Sequence, residues 1–242
     1  MFFSDPDNNR AVIGIFTSIS SCVGCSFAAS VGAGEKHASP TKRLTAAQCE
    51  RLVKRLVNPG KPPFTDDYVP DLPKGVSESS LLEKQKPIAA AYDELSANIE
   101  VSLPVLMAHA ADKRFSYVYE DGISGVYECA TVGRACVRII VAHVEVYHTA
   151  VRKYDADGRS KSLWFISDEC GGVEKWWKDR RGRSLADLQL EGIEWATRQP
   201  KPDYFSEREW ATAKKSLKSL AGQIRDSKKP IRVEHKVQFF SK

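Results

Sequence analysis

The sequence predicts a mainly α-helical fold: one compact domain of about six or seven helices. Three observations lead there. Apolar residues recur at helical spacing in several windows, most densely over residues 130–151, where Val132, Ala135, Cys136, Ile139, Ile140, His143, Val146, Tyr147 and Ala150 share a face. Capping boxes or their acidic variants stand at Thr45, Ser80, Ser184 and Ser206, each before such a window. The strand signals are short: one hairpin or long decorated loop at residues 115–129 and one edge strand in the tail. The chain has 242 residues, of which 42% are apolar and 28% charged, so it is long enough and apolar enough to bury a core without disulfide staples. This excludes a wholly disordered chain, a collagen, a coiled coil and a multi-pass membrane protein.

Residues 1–33 read as a leader. No residue from Ala11 to Gly34 is charged. A span needs about 20 predominantly apolar residues, and the serines here dilute the run. A signal peptide needs only a short apolar core and small residues before the cut. Ala11 to Ile19 supplies the core, and Val31-Gly32-Ala33 the cleavage site. Val23-Gly24-Cys25-Ser26 also looks like the end of a bacterial lipoprotein box, which makes Cys25 a candidate for lipidation. The membrane is thus met only through the leader or a lipid anchor. Residues 34–43 form a polar linker, and residues 44–242 the single domain.

Within the domain, Cys49, Leu52, Val53 and Leu56 mark a first helix, stopped by Asn58-Pro59-Gly60. Residues 58–76 hold five prolines and two glycines and form an irregular crossing. Residues 80–112 are helical, with Pro87 and Pro104 as kinks or breaks. Asp121-Gly122 sits at the turn of the hairpin signal. The window 130–151 is apolar on nearly every face, because Val137, Val141 and Val144 line its other side, so this helix is central. A polar loop over 152–163 leads to two helices, 173–181 and 184–199. The last helix carries the stripe Trp210, Ala213, Leu217, Leu220 and Ile224.

Two resemblances accompany this reading. Leu95, Ile99, Leu103, Pro104, Leu106 and Asp112, followed by Val132, Gly133, Ala135 and Ile139, resemble one HEAT-type helical pair over about residues 92–150. That implies HEAT-like packing, a Pro-kinked first helix and an Asp at the turn, although the turn here has swollen and no second copy follows. The segment from Trp176 to Ala196 is similar to uncharacterised exported bacterial helical proteins, a resemblance that implies no activity.

Chemistry-bearing residues are sparse. Asp155-Ala-Asp157-Gly158 matches part of a calcium loop, but its first and last ligand positions would be Lys153 and Trp164. There is no G-x-S-x-G elbow, and Cys136 lies two helical turns from His143, too far for direct activation. His109 and His143 fall on helices that can be neighbours and make a candidate groove. Trp176, Trp177, Lys178, Arg180, Arg181 and Arg183 form the one segment that mixes large aromatics with bases, a candidate binding face. Of the four cysteines after the leader, Cys49 and Cys136 fit buried thiols, whereas Cys129 and Cys170 are the candidates for a disulfide. No metal, cofactor or catalytic set is assigned.

The chain carries net charge +5, divided as −2 over residues 1–150 and +7 over residues 151–242. Acids interrupt the basic third throughout, as on solvated helix faces. The expectation is an exported non-catalytic binding or scaffold protein, secreted or periplasmic, whose partner is a protein or an acidic surface. The rivals are a cytoplasmic nucleic-acid-binding protein using the basic third, and an enzyme with a dispersed site near His109 and His143.

Overall fold

The computed structural model describes residues 43–65, 69–121, 125–146, 151–154, 160–201 and 205–240. The leader, its cleavage site, Cys25, most of the linker, and the calcium-like residues Asp155 and Asp157 lie outside the described residues. Those described form seven α-helices, one π-helical turn and two β-hairpins.

Helix α1 (Ala46–Arg55) starts at the expected capping box: the Thr45 hydroxyl accepts from the Gln48 N–H, and the Gln48 side chain accepts from the Thr45 N–H at 2.7 Å. Helix α2 (Glu78–Ala97) begins earlier than the box at Ser80 implies. Ser77 is the cap, and its hydroxyl accepts from the Ser80 N–H. Ser80 is therefore already in the first turn. Neither proline ends a helix. Pro87 lies inside α2, and Pro104 lies inside α3 (Ile99–Ala108). The break comes between them at Asn98, which leaves helical geometry at φ −115° and ψ 33°.

The expected hairpin is present: β1 (Phe115–Asp121) pairs antiparallel with β2 (Val126–Thr131), with Val118 opposite Cys129. Both outer edges are covered. On the β1 side, the Gln85 amide of α2 grips the N–H and carbonyl of Val118 at 2.6 and 3.1 Å. On the β2 side, Val69 of the Pro-rich crossing exchanges two backbone hydrogen bonds with Tyr127. Covered edges remove the template for chain-to-chain pairing.

Helix α4 (Val132–Val144) is the central helix, but it is shorter than its apolar window. Ala130 and Thr131 belong to β2, and Glu145 caps the other end. Ten of its residues are buried, including Ile139 and Ile140, and α2, α3, α6 and the first hairpin pack around it. Its start sits directly on the end of α3. A Cβ on Gly133 would lie 2.4 Å from the Ala110 carbonyl oxygen, so only glycine fits.

A second hairpin, β3 (Val151–Tyr154) with β4 (Ser160–Leu163), replaces the expected polar loop at 152–163. Asp157-Gly158 between two short alternating runs was the available turn signal. A π-helical turn (Phe165–Glu169) follows, then α5 (Val173–Lys178), α6 (Leu185–Arg198) and α7 (Glu207–Ser227). The caps at Ser184 and Ser206 are as the sequence predicts. The tail, residues 230–240, is no sheet strand. It runs as an extended strap that bonds to strand backbone from the Glu120 N–H to the Phe239 carbonyl, at 2.7 Å.

Candidate functional site

The strap organises the site. Beyond α7 the chain turns at Lys228, a non-glycine residue in the left-handed region at φ 56°, and then crosses α6, α2 and β1. Polar side chains of the helices hold its backbone. Buried Gln189 of α6 accepts from the Ile231 N–H at 2.8 Å and donates to the Ile231 carbonyl at 3.0 Å. Ser96 of α2 donates to the His235 carbonyl at 2.8 Å, and Asp93 of the same helix accepts from the Val237 N–H at 3.1 Å. Burial alternates along the strap: Ile231, Val233, His235 and Val237 turn inward, and the residues between them face solvent. Phe239 and Phe240 then enter the core, where the Phe239 ring lies 4.9 Å from Tyr117.

Where the strap passes α2 it completes a polar cluster. His143 of α4 meets Ser96 at 2.8 Å, and Tyr92 meets His235 at 2.9 Å. The two imidazoles stand edge to face, their centroids 6.3 Å apart. One assignment of protons satisfies both Ser96 contacts at once. A carbonyl only accepts, so the single Ser96 proton goes to His235 O. In that assignment His143 Nε2 carries its own proton and donates it to Ser96. A nucleophilic pair needs the opposite direction, with the serine proton on the imidazole. Burial first, and His235 second, push the His143 imidazole down to about 4, so it is neutral at pH 7.

Above this floor a cleft of about 380 Å³ opens to solvent between residues 96–101, Leu185 and strap residues 230–233. Arg43 and Arg232 line it, as does Glu100. Neither guanidinium forms an ion pair among the described residues.

The structure separates the two histidines of the candidate groove. His109 follows α3 and pairs with Glu50 of α1 at 3.0 Å. It sits beside the start of α4, whose Gly133 N–H bonds to Asp112. His143 lies ten residues further along α4, about 15 Å at 1.5 Å per residue. The partner His143 does find, Ser96, stands one residue before the end of α2.

The aromatic and basic segment becomes largely structural. Trp176 is fully buried, and Trp177 packs beside it at 5.9 Å. Arg180 and Arg183 both close on Glu191 of α6, at 2.6 and 2.5 Å. Burial alone would raise the Glu191 carboxyl, but the hydrogen bonds and charges of these arginines outweigh it and hold the group below its ordinary value. Lys178 and Arg181 remain exposed.

The disulfide expected between Cys129 and Cys170 is not formed. Each is a free thiol, and Cys129 points at the Phe64 carbonyl at 3.7 Å. Cys49 and Cys136 are buried free thiols, as the apolar stripes predict. Burial raises all four, Cys136 to about 12, so they stay protonated at neutral pH.

Comparison with protein-family models, with curated proteins and with solved structures returns no match. The site therefore has to be read from its own geometry. Among the described residues, no group of three or more His, Cys, Asp and Glu side chains is arranged to hold a metal ion. No described helix is long and apolar enough to cross a membrane. The residues that sequence reasoning passed over are Ser96, Gln189 and Asp93, and it expected the strap as an edge strand. Only the strap left a signal, the alternation of Ile231, Val233, Val237 and Phe239.

Proposed function

We propose that this chain is an exported, non-catalytic binding protein and that its ligand seats in the cleft between the α2–α3 junction and the strap. What supports the reading is the pair of contacts at Ser96, to the His235 carbonyl and to His143 Nε2, both at 2.8 Å. The one Ser–His contact on the cleft floor is spent on anchoring the strap, which leaves a shaped recess without an activated nucleophile. Export to the periplasm or beyond rests on the leader signals in residues 1–33, and lipidation at Cys25 remains part of the proposal. The HEAT-type arrangement of residues 92–150 belongs to it too, supported by the packing of α3 on α4 and by Pro104 within α3.

Nuclear magnetic resonance tests the binding part. Acidic, neutral and basic peptides are titrated into labelled protein, and turnover of ester, amide and phosphate substrates is assayed alongside. The expected result is that amide signals from residues 97–101 and 231–233 shift with at least one class, without turnover. Hydrolysis lost in Ser96→Ala or His143→Ala, or a cleft silent to every class, overturns the reading. Intact mass and fractionation of native protein test export: a full-length chain in the cytosol would refute it.

A further inference from the structure

The cleft has a charge pattern that selects among ligands. Arg43 comes from the segment ahead of α1, Arg232 from the strap and Glu100 from the first turn of α3. The chain separation of these three groups means that the fold, and no local motif, gathers them. Arginine stays charged at any working pH and presents a planar fork of donors that matches a carboxylate. Arg114, Arg134, Arg180, Arg183 and Arg225 each close on a carboxylate of this chain, at 2.5 to 2.6 Å, whereas Arg43 and Arg232, like Arg51, Arg55, Arg138, Arg181, Arg198 and Arg208, form no ion pair among the described residues. Glu100 lines the same cleft, yet it makes no ion pair with Arg43 or Arg232.

We propose that the cleft binds a short acidic peptide segment, with ligand carboxylates on Arg43 and Arg232 and a ligand amide or amine donor on Glu100. This names the ligand class of the site proposed above and rests on that reading. A recess of about 380 Å³ is of small-ligand size. It takes a few residues of a chain, and no folded surface. The floor suits such a ligand because the neutral His143 and the hydroxyl of Ser96 add no charge to repel or trap it. Both arginines sit at the solvent side, so their contribution is steering and selectivity, screened as salt rises. Because Arg232 and one wall belong to the strap, a seated ligand also holds the strap in place, and binding and strap closure stabilise each other.

The test uses the full chain and isothermal titration with hexaglutamate, hexalysine, a neutral Gly/Ser hexapeptide and citrate, at about 20 and 200 mM salt. Hexaglutamate should bind and hexalysine should not, with about tenfold weaker binding at the higher salt. Arg43→Gln and Arg232→Gln should each weaken it about tenfold, and Glu100→Gln should change it by less than either. Unchanged circular dichroism and melting temperature certify that these exposed substitutions left the fold intact. Three results overturn the proposal: hexaglutamate binding that survives both arginine changes, citrate binding as tightly as hexaglutamate, or no acidic ligand binding at all. If the neutral peptide shifts the cleft amides while hexaglutamate does not, the charge assignment fails and the binding cleft stands. If no peptide of any charge shifts them, both fail together.

Discussion

At the scale of single residues, the least expected groups are polar ones inside the core. Glu145 caps α4 and is almost wholly buried. One carboxylate oxygen accepts from the Ile166 N–H at 2.8 Å, while the other has no partner. Burial, with the Asp168 charge added to it, outweighs that hydrogen bond and pushes the carboxyl up to about 7 from 4.5. A raised carboxyl pKa means that the folded state holds its proton longer than the unfolded state does. The stability this contributes is fully present below about pH 4.5 and is lost as pH rises through about 7. Glu145→Gln keeps an acceptor for Ile166 and removes the charge. The variant should therefore be more stable than the parent at pH 8, by about 1–3 kcal/mol, and match it near pH 4.5. Thermal melts across that range check this; a difference independent of pH would count against it. Arg138 is the companion case. It lies buried in α4 with its guanidinium 4.0 Å from the centroid of the Tyr119 ring and bonded to the Tyr117 hydroxyl at 2.7 Å. The sequence shows an apolar window with two arginines in it, Arg134 and Arg138, and gives no hint that Arg138 turns inward. The aromatic surroundings that make burial tolerable come from a hairpin about twenty residues away, and composition alone does not connect the two.

At the scale of elements, helices with local signals were the legible ones. Thr45, Ser184 and Ser206 cap where their side chains predict, because a cap is decided within four residues. The boundaries that went astray were those decided elsewhere. Ala130 and Thr131 look like the start of α4, yet β1 recruits them into β2 by pairing across the hairpin. Pro87 and Pro104 look like breaks, but packing on both sides of each carries the helix through, and the chain breaks at Asn98 instead. The α3–α4 contact gives a sharp test of this packing. Gly133 approaches the backbone of Ala110, and backbone cannot rotate away as a side chain does. Gly133→Ala should destabilise the protein by about 1–3 kcal/mol despite alanine's better helix propensity. At Gly222 of α7 a Cβ meets nothing within 4 Å, so Gly222→Ala should be neutral or mildly stabilising. Equal melting temperatures for the two variants would show that α3 and α4 are not in contact as described. In the middle of α4, Ile139→Asp places a charge where no solvent reaches and should abolish soluble expression.

For the whole molecule, the fold class was readable and the site was not, and the strap explains both. Helical content follows from periodicity, which is local. The cleft is built from residues 43, 96–101, 143, 185 and 230–233, and only closure of residues 230–240 over the helices brings them together. Closure itself depends on side chains, since the backbone bond to β1 is supplemented by Gln189, Ser96 and Asp93. Gln189 is the hub, because its amide also donates to the His143 carbonyl at 2.7 Å and so joins α6, α4 and the strap. If the strap behaves as one unit, removing the hub must loosen its far end as well as its near end. Gln189→Ala breaks three hydrogen bonds, one buried and two part-buried, and should cost about 2–4 kcal/mol. Hydrogen exchange of the variant should then accelerate together at Ile231, Val237 and Glu120, whose N–H groups are respectively held by Gln189, held by Asp93 and bonded to Phe239. The amides of Leu52 and Val53 in α1 should keep most of their protection. Acceleration confined to Ile231 would mean that Phe239 and Phe240 anchor the tail on their own; the cleft wall would then move independently of the core, and ligand binding would not be coupled to closure.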